Sequence, residues 1–503
     1  VKSPRRAAVL AVIASVLAAC KVGPTFVAPH EPVPDHYADA APAAGDQEPN
    51  SFWWQEFKDP ELDDLEKRAA AGNLDLKAAY MRIVEARMQV LSARAQGLPT
   101  LNAVASIERE QLGLAGILKT EGISTGGSAP AGTSQLLSSL ESPVNIYQLG
   151  LDASWQLDLF GKVRREVEGA EAQSAAAVEE RNGLVISLEA EVAQTYFQLR
   201  SGQSLRQITE DLIAAQRDVV DLTNSRHLHG LAGEADVESA RGQLSSLESQ
   251  LPPYDQTIAT SKHALAVLTG QTPEALDTEF NDAHALPALP AVVPVGLPST
   301  LARRRPDVRS AEDSLHAATA QVGVAVASFF PDVSLAGTFG LRNTGTRYLL
   351  NWASHFYTFG PNVSIPIFEG GALVANVRLS RAEEVEAALN YRKTVLTALQ
   401  DVEDSLTALQ ADARRSAALN DTVTADQRAY DVDLDAYRHG IMSYLNLLTV
   451  NIQVVQARQQ LAETQLTQST DLVKLYKALG GGWESEPQTA GGGEQGADPS
   501  ISR

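Results

Sequence analysis

Apolar residues alternate with polar ones at period two in four segments and recur at three- and four-residue steps through two much longer ones. The clearest alternation runs from Tyr147 to Leu159. Tyr147, Leu149, Leu151, Ala153, Trp155, Leu157 and Leu159 share one face, and Gln148, Gly150, Asp152, Ser154, Gln156 and Asp158 share the other. That period predicts a β-strand with one apolar and one polar side. Tyr357 to Ile367 repeats it, with Phe359, Val363 and Ile365 against Thr358, Asn362 and Ser364. The strands expected before these are Leu101 to Ile107 and Val333 to Leu341.

After each second strand comes a long stretch without proline, residues 144–251 and 367–486. Lys162 to Leu228 as one helix would extend ~100 Å. Leu205, Ile208, Leu212, Ala215, Val219 and Leu222 predict a coiled-coil seam, as do Leu399, Val402, Leu406, Leu409 and Ala413, and Leu445, Leu448, Ile452 and Val455. Each long helix is expected to turn at a glycine, in His229-Gly230-Leu231-Ala232-Gly233 and His439-Gly440-Ile441-Met442-Ser443, and to return as a second helix. The hairpin tips would then lie ~100 Å from the strands.

The order of elements occurs twice. Asn73 to Leu101 corresponds to Arg305 to Val333 at an offset of 232, and His229-Gly230-Leu231 to His439-Gly440-Ile441 at 210. This reads as a duplication. A soluble sandwich would alternate in the same way. Strand lengths close to the ~9–11 residues that cross a bilayer, and long polar loops at Glu108–Ile146 and Arg342–His355, favour a membrane barrel. Four strands cannot close a barrel, and open edges in lipid leave backbone groups unpaired, so the strands must be pooled with other copies of the chain. The pattern does not set the number of copies.

Composition narrows the function. The 503 residues carry a formal charge of −21, which argues against a nucleic-acid partner. No run reaches the ~18 apolar residues of a spanning helix. Lys2, Arg5 and Arg6 precede the apolar stretch Ala7–Ala19, as in an export signal. Leu17-Ala18-Ala19-Cys20 resembles a lipoprotein lipobox, so Cys20, the only cysteine, is the expected site of lipidation. Lys21 after it resembles the sorting residue of outer-membrane lipoproteins, and Val22–Pro49 reads as an extended tether.

Three motifs carry a family likeness. Trp53-Trp54-Gln55-Glu56-Phe57-Lys58-Asp59-Pro60-Glu61-Leu62, Arg305-Pro306-Asp307-Val308 with Ala311-Glu312, and Leu475-Tyr476-Lys477-Ala478-Leu479-Gly480-Gly481-Gly482-Trp483 occur in the order seen in the outer-membrane efflux proteins, the TolC-like and NodT-like factors. The resemblance covers Cys20 to Trp483. It implies a mainly α fold with a membrane β-barrel: a homotrimer whose twelve-stranded barrel continues as a long α-helical barrel. It implies an exit duct that works with a periplasmic adaptor and an inner-membrane pump of the RND or MFS type. The division expected is a signal peptide (1–19), an acylated tether (20–50), a first repeat (51–290), a second repeat (291–483) and a disordered tail (484–503).

Under the resemblance, Asp404 corresponds to an acidic position that narrows the periplasmic entrance, with Asp401 a weaker candidate one turn earlier. A plain solvated helix face is the alternative. Gly230, Leu231, Gly440 and Ile441 resemble adaptor-docking tips, although helix-turn chemistry requires the glycines anyway. His227 and His229 could be read as a metal pair, but with three methionines in the chain a soft-metal relay is not expected. Arg303, Arg304 and Arg305 could be read as an anion site, but Pro306 and Asp307 read better as a helix start. No nucleophile, zinc or nucleotide-binding motif is found, so neither enzyme activity nor a cofactor is expected. The rival readings are a polypeptide-secretion channel and a lipid-anchored periplasmic scaffold or adaptor without a pore.

Overall fold

The computed structural model describes residues 21–38, 50–111, 143–282, 286–290 and 293–483. In chain order it contains α1 (Pro60–Gly72), α2 (Leu74–Gln96), β1 (Thr100–Glu110), β2 (Val144–Leu157), α3 (Lys162–Leu228), α4 (Glu234–Glu248), α5 (Leu251–Leu268), α6 (Pro298–Arg304), α7 (Pro306–Ala327), β3 (Asp332–Asn343), β4 (His355–Ser364), α8 (Ala372–Arg438) and α9 (Tyr444–Ala478). A short 3₁₀ turn, Trp53–Phe57, precedes α1. The succession α2-β1-β2-α3 recurs as α7-β3-β4-α8, and α3 and α8 are each 67 residues long. Cys20 and the signal segment, most of the loop after β1, and the tail from residue 484 lie outside the described residues.

The chain divides into two compact units. One is formed by residues 1–27, 86–174 and 315–386, the other by 28–85, 175–314 and 387–503. Each therefore draws on both halves of the sequence.

The first unit holds a single antiparallel sheet in the order β1-β2-β3-β4. β2 stops at Leu157, two residues short of the alternating run, because Asp158 is taken by the turn into α3: its Oδ2 accepts from the Arg164 backbone N–H at 3.0 Å. β4 stops at Ser364 rather than Ile367, two residues before Pro366; Pro361 is admitted inside it because β4 is an edge strand. The register aligns Ala103, Leu151, Phe339 and Tyr357 across all four strands, and Leu101, Ala153, Gly337 and Phe359 in the next row on that face. The opposite face aligns Asn102, Asp152, Thr338 and Thr358. The apolar side is exposed as well as the polar one: Leu101, Ile107, Leu149, Leu151, Trp155, Phe339 and Tyr357 are all open, with Phe359 at 74%. A soluble sandwich packs a second layer against that face; among the described residues there is no such layer, although Trp352 approaches Phe339 at 6.2 Å.

Residues 21–27, expected to be a tether, are fastened down. Arg165, 1% exposed, donates to the carbonyls of Val22 and Gly23, each at 3.2 Å, and to Glu168 at 2.9 Å. Lys21 also pairs with Glu168, and Phe26 stacks on His316 at 4.4 Å. In the second unit, Glu31 meets Arg392 at 3.5 Å, Tyr37 is buried against Val395 and Val402, and the Ala38 N–H donates to Glu403 at 2.9 Å.

The second unit contains the paired helices. The returning helix of the first hairpin is split into α4 and α5, because Pro252 and Pro253 are admitted only in a first helical turn. The seam on α3 lies one position away from the predicted one in part of its length. Ala215 is exposed, while Thr209, Leu212, Gln216, Val219 and Thr223 are buried at the same three- and four-residue steps. Gln216 donates to the Ala240 carbonyl at 3.0 Å and accepts from Asn451 at 2.7 Å. On α9, likewise, Leu447, Asn451 and Val454 are buried and Leu445 is exposed. A seam that buries one hydrogen-bonded amide pair, Gln216 with Asn451, fixes helix register, as a single buried Asn does in coiled coils. Counting only aliphatic residues misses it.

Candidate functional site

Both glycine turns end their helices as Schellman motifs. The Leu231 N–H bonds the Arg226 carbonyl at 2.8 Å and the Gly230 N–H bonds that of His227 at 2.9 Å. In the second turn Ile441 bonds Ala436 at 2.9 Å and Gly440 bonds Tyr437 at 3.0 Å. Gly230 and Gly440 have φ of 73° and 80°, so each glycine is needed for the turn. The turn does not require the apolar residue that follows. In a Schellman motif that residue packs back on its own helix, yet Leu231 is 68% and Ile441 82% exposed. His227 and His229 bond backbone carbonyls, and no metal-binding cluster is found among the described residues.

The tips are also tied to each other. Arg226 of α3 donates through Nη1 to the Tyr437 carbonyl of α8 and lies 4.6 Å above the Tyr437 ring. Tyr437, 2% exposed, donates through its hydroxyl to Thr223 at 3.1 Å. None of these residues stood out in the sequence, because their partners lie more than 200 positions away.

Asp401 and Asp404 line one cavity of about 470 Å³ together with Arg305, Asp307, Lys474 and Lys477. They differ in bonding. Asp401 Oδ2 receives Arg305 Nη1 at 3.0 Å and Nη2 at 3.1 Å, while Asp404 is exposed and, among the described residues, accepts from Gln400 alone, at 3.2 Å. Asp404 lies in the middle of α8, about 50 Å along the helix from the His439–Ser443 turn. A constriction built on it would therefore lie half-way along the helix, not at the hairpin tips, which changes where an acidic gate would act.

The three sequence motifs meet in the second unit. Trp53 stacks on Tyr476 at 5.2 Å, and Glu56 accepts from the Tyr476 hydroxyl at 2.5 Å. Asp59 caps α1 by accepting from Glu61 N–H at 2.9 Å, and its other oxygen accepts from the Tyr196 hydroxyl at 2.7 Å. Arg200, 1% exposed, pairs with Glu61. Arg305 joins the second motif to the third: it bonds Asp307 at 2.7 Å and the Ala478 carbonyl at 3.1 Å, and it packs 3.0 Å from where a Cβ on Gly480 would stand. Trp483 donates to the Arg304 carbonyl at 3.1 Å. The arginine run is thus a structural joint. Pro306 and Asp307 do open α7, as the sequence reads.

Within the second unit these motifs bind one another, and the sheet of the first unit exposes an apolar face. The family model described as "Outer membrane efflux protein" matches residues 65–271 and 297–481. The chain belongs to the outer membrane efflux protein family. Antibiotic efflux pump outer membrane protein ArpC of Pseudomonas putida is 32% identical over 487 residues, covering 94% of this chain and 95% of that protein. Cation efflux system protein CusC of Escherichia coli O6:H1 is 29% identical over 483 residues, covering 94% and 98%. The solved outer-membrane channel OprN superposes with a TM-score of 0.83 at 30% identity, covering 92% of this chain and 100% of that one. In this outer membrane efflux protein the uncovered apolar face is accordingly a lipid-facing surface, and the row with Asp152 faces the channel.

A further feature was not read from the sequence. Asp412 of α8 faces Asp471 of α9, which is 8% exposed and bonds Lys474 at 2.8 Å. Asp412 Oδ2 is buried and among the described residues receives no donor, so the two carboxyls approach without a hydrogen unless one is protonated. Burial, then the Asp471 carboxyl, push Asp412 above the usual range.

Proposed function

We propose that this outer membrane efflux protein is the passive exit duct of a tripartite pump. It works as a homotrimer with a periplasmic adaptor and an inner-membrane pump of the RND or MFS type, and passes drugs or other small molecules outward. The observation that carries the reading is the four-stranded sheet, apolar and uncovered on one face, polar on the other, with β1 and β4 at open edges. Such a sheet is satisfied only in lipid and only when further strands complete it. Three copies supply twelve strands, enough to leave a lumen. The exposed Leu231 and Ile441 beside Gly230 and Gly440 serve as apolar contacts for the adaptor. Asp404 supplies like charge around the axis, Asp401 is the weaker candidate because Arg305 holds its carboxylate, and Cys20 carries the lipid anchor.

The full chain, extracted in detergent and added to planar bilayers, tests this. Discrete cation-selective conductance is expected, because Glu108, Glu110, Asp152 and Asp332 outnumber Arg342 on the polar face of the strands. Anion selectivity would overturn the lumen assignment. A monodisperse, water-soluble monomer without conductance would overturn the duct.

A further inference from the structure

The channel-facing side of the sheet carries a cation that a plain acidic duct does not need. Gly150, Gly340 and Phe356 form one row across β2, β3 and β4, and Gln148 and Arg342 form the adjacent row on that face. The two glycines leave a hollow. A Cβ on Gly340 would stand 3.1 Å from Phe356 Cε1 and 2.5 Å from the Leu149 carbonyl oxygen, so only bare backbone leaves room for the ring. The Arg342 guanidinium lies over that ring, 4.8 Å from its centroid. Gln148 Oε1 holds it from the side, accepting from Nε at 2.9 Å and Nη2 at 2.6 Å.

Arg342 is exposed, and among the described residues it forms no ion pair. It is the only Lys or Arg on the channel-facing side of the four strands. Stacking and the Gln148 bonds use one face of the guanidinium and two of its five donors. The remaining edge presents N–H groups in the fork that matches a carboxylate or sulfonate. A fixed cation beside an apolar ring suits an anion that carries an aromatic body.

We infer that Arg342 and Phe356 form a binding station for aromatic organic anions on the channel wall, near the end of the barrel away from the helices. The station gives such anions a foothold in a lumen whose other charges repel them. This inference rests on the duct reading above.

Naphthalene-2-sulfonate is the probe, applied to the purified full-chain channel in planar bilayers, with 2-naphthalenemethanol as the uncharged comparison. The sulfonate is expected to interrupt the wild-type current in a concentration-dependent way, more strongly than the alcohol. Arg342→Gln should weaken that block about tenfold. Arg342→Lys, which keeps the charge but loses the fork and the flat stack, should fall between the two. Phe356→Leu should reduce the preference for the naphthyl probe over methanesulfonate. Equal block of wild type and Arg342→Gln overturns the station, and so does an Arg342→Lys channel blocked as well as the wild type. A wild-type protein that forms no channel is a failure of the duct reading instead.

Discussion

The guanidinium of Arg226, in the last turn of α3, sits 4.6 Å over the ring of Tyr437, in the last turn of α8, and donates to its backbone carbonyl. One side chain thereby ties the tip of the first hairpin to the tip of the second. Arg226→Ala should release that tie at a cost of ~1–2 kcal/mol, the combined scale of a partly buried cation–π contact and a charged hydrogen bond. Hydrogen exchange of the amides around residues 434–441 should quicken roughly tenfold, while amides near Tyr196 stay as they are. Unchanged exchange at the tip would show that the tie carries no load.

Asp401 and Asp404 should separate by experiment. Asp401→Ala removes one of the two carboxylates on Arg305, whose side chain is only 11% exposed, and should lower stability by about 1–3 kcal/mol because a buried cation loses a partner. Asp404→Ala removes, among the described residues, the hydrogen bond from Gln400. It should leave the denaturation midpoint nearly unchanged and raise conductance if like charge narrows the duct there. A conductance unaffected by Asp404→Ala would return that residue to an ordinary solvated helix face.

The Asp412–Asp471 contact makes a pH dependence with a definite sign. A carboxyl whose folded pKa lies above its unfolded value, ~3.8 for an aspartate, contributes stability that is complete below that value. The contribution is lost as pH rises through the raised value, where a second negative charge appears between α8 and α9. Arg415 and Lys474 face the pair and limit the shift. Asp412→Asn, whose amide can donate to Asp471 at any pH, should flatten this part of the profile and be more stable than the wild type on the alkaline side. Denaturation midpoints of both proteins across the acid-to-neutral range measure it.

The two faces of the sheet should tolerate opposite substitutions. Leu151→Arg places a charge on the lipid side at a cost of about 2–4 kcal/mol near mid-membrane and should impair insertion. The neighbouring Asp152→Asn, on the channel side, should insert normally and reduce cation selectivity. Heat-modifiable migration of membrane extracts reads the first effect and reversal potentials read the second.

Trp53→Ala should cost about 3–5 kcal/mol, since Trp53 is 1% exposed and stacks on Tyr476. Denaturant unfolding of the detergent-solubilised protein gives the figure. A small loss would mean that the N-terminal motif is not the fastening it resembles.

Much of the fold follows from local order along the chain. Alternation at Tyr147–Leu157 is enough to make a two-faced strand, the lack of proline after residue 143 permits a 67-residue helix, and Gly230 and Gly440 dictate where the helices turn, because only glycine meets the required φ without strain. The family motifs were legible too, since they are contiguous. What they hold was not: Trp53 meets Tyr476 and Arg305 meets Asp401 only once distant segments pack.

Tertiary structure decided everything that depends on which side of a helix ends up covered. Alternation cannot say whether an apolar face meets protein or lipid; the exposure of Leu151 and Phe359, taken with the outer membrane efflux protein family, assigns it to lipid. A three- and four-residue period fits two neighbouring seams nearly as well, and the choice of Gln216 over Ala215 was made by Ala240 and Asn451, which supply the hydrogen bonds that let an amide be buried. The residues by themselves determined the elements and their order, because backbone conformation depends on near neighbours. The cavity beside Asp401, the Arg226–Tyr437 tie and the Arg342–Phe356 stack came only with packing, because each joins side chains that nothing in their own segments brings together.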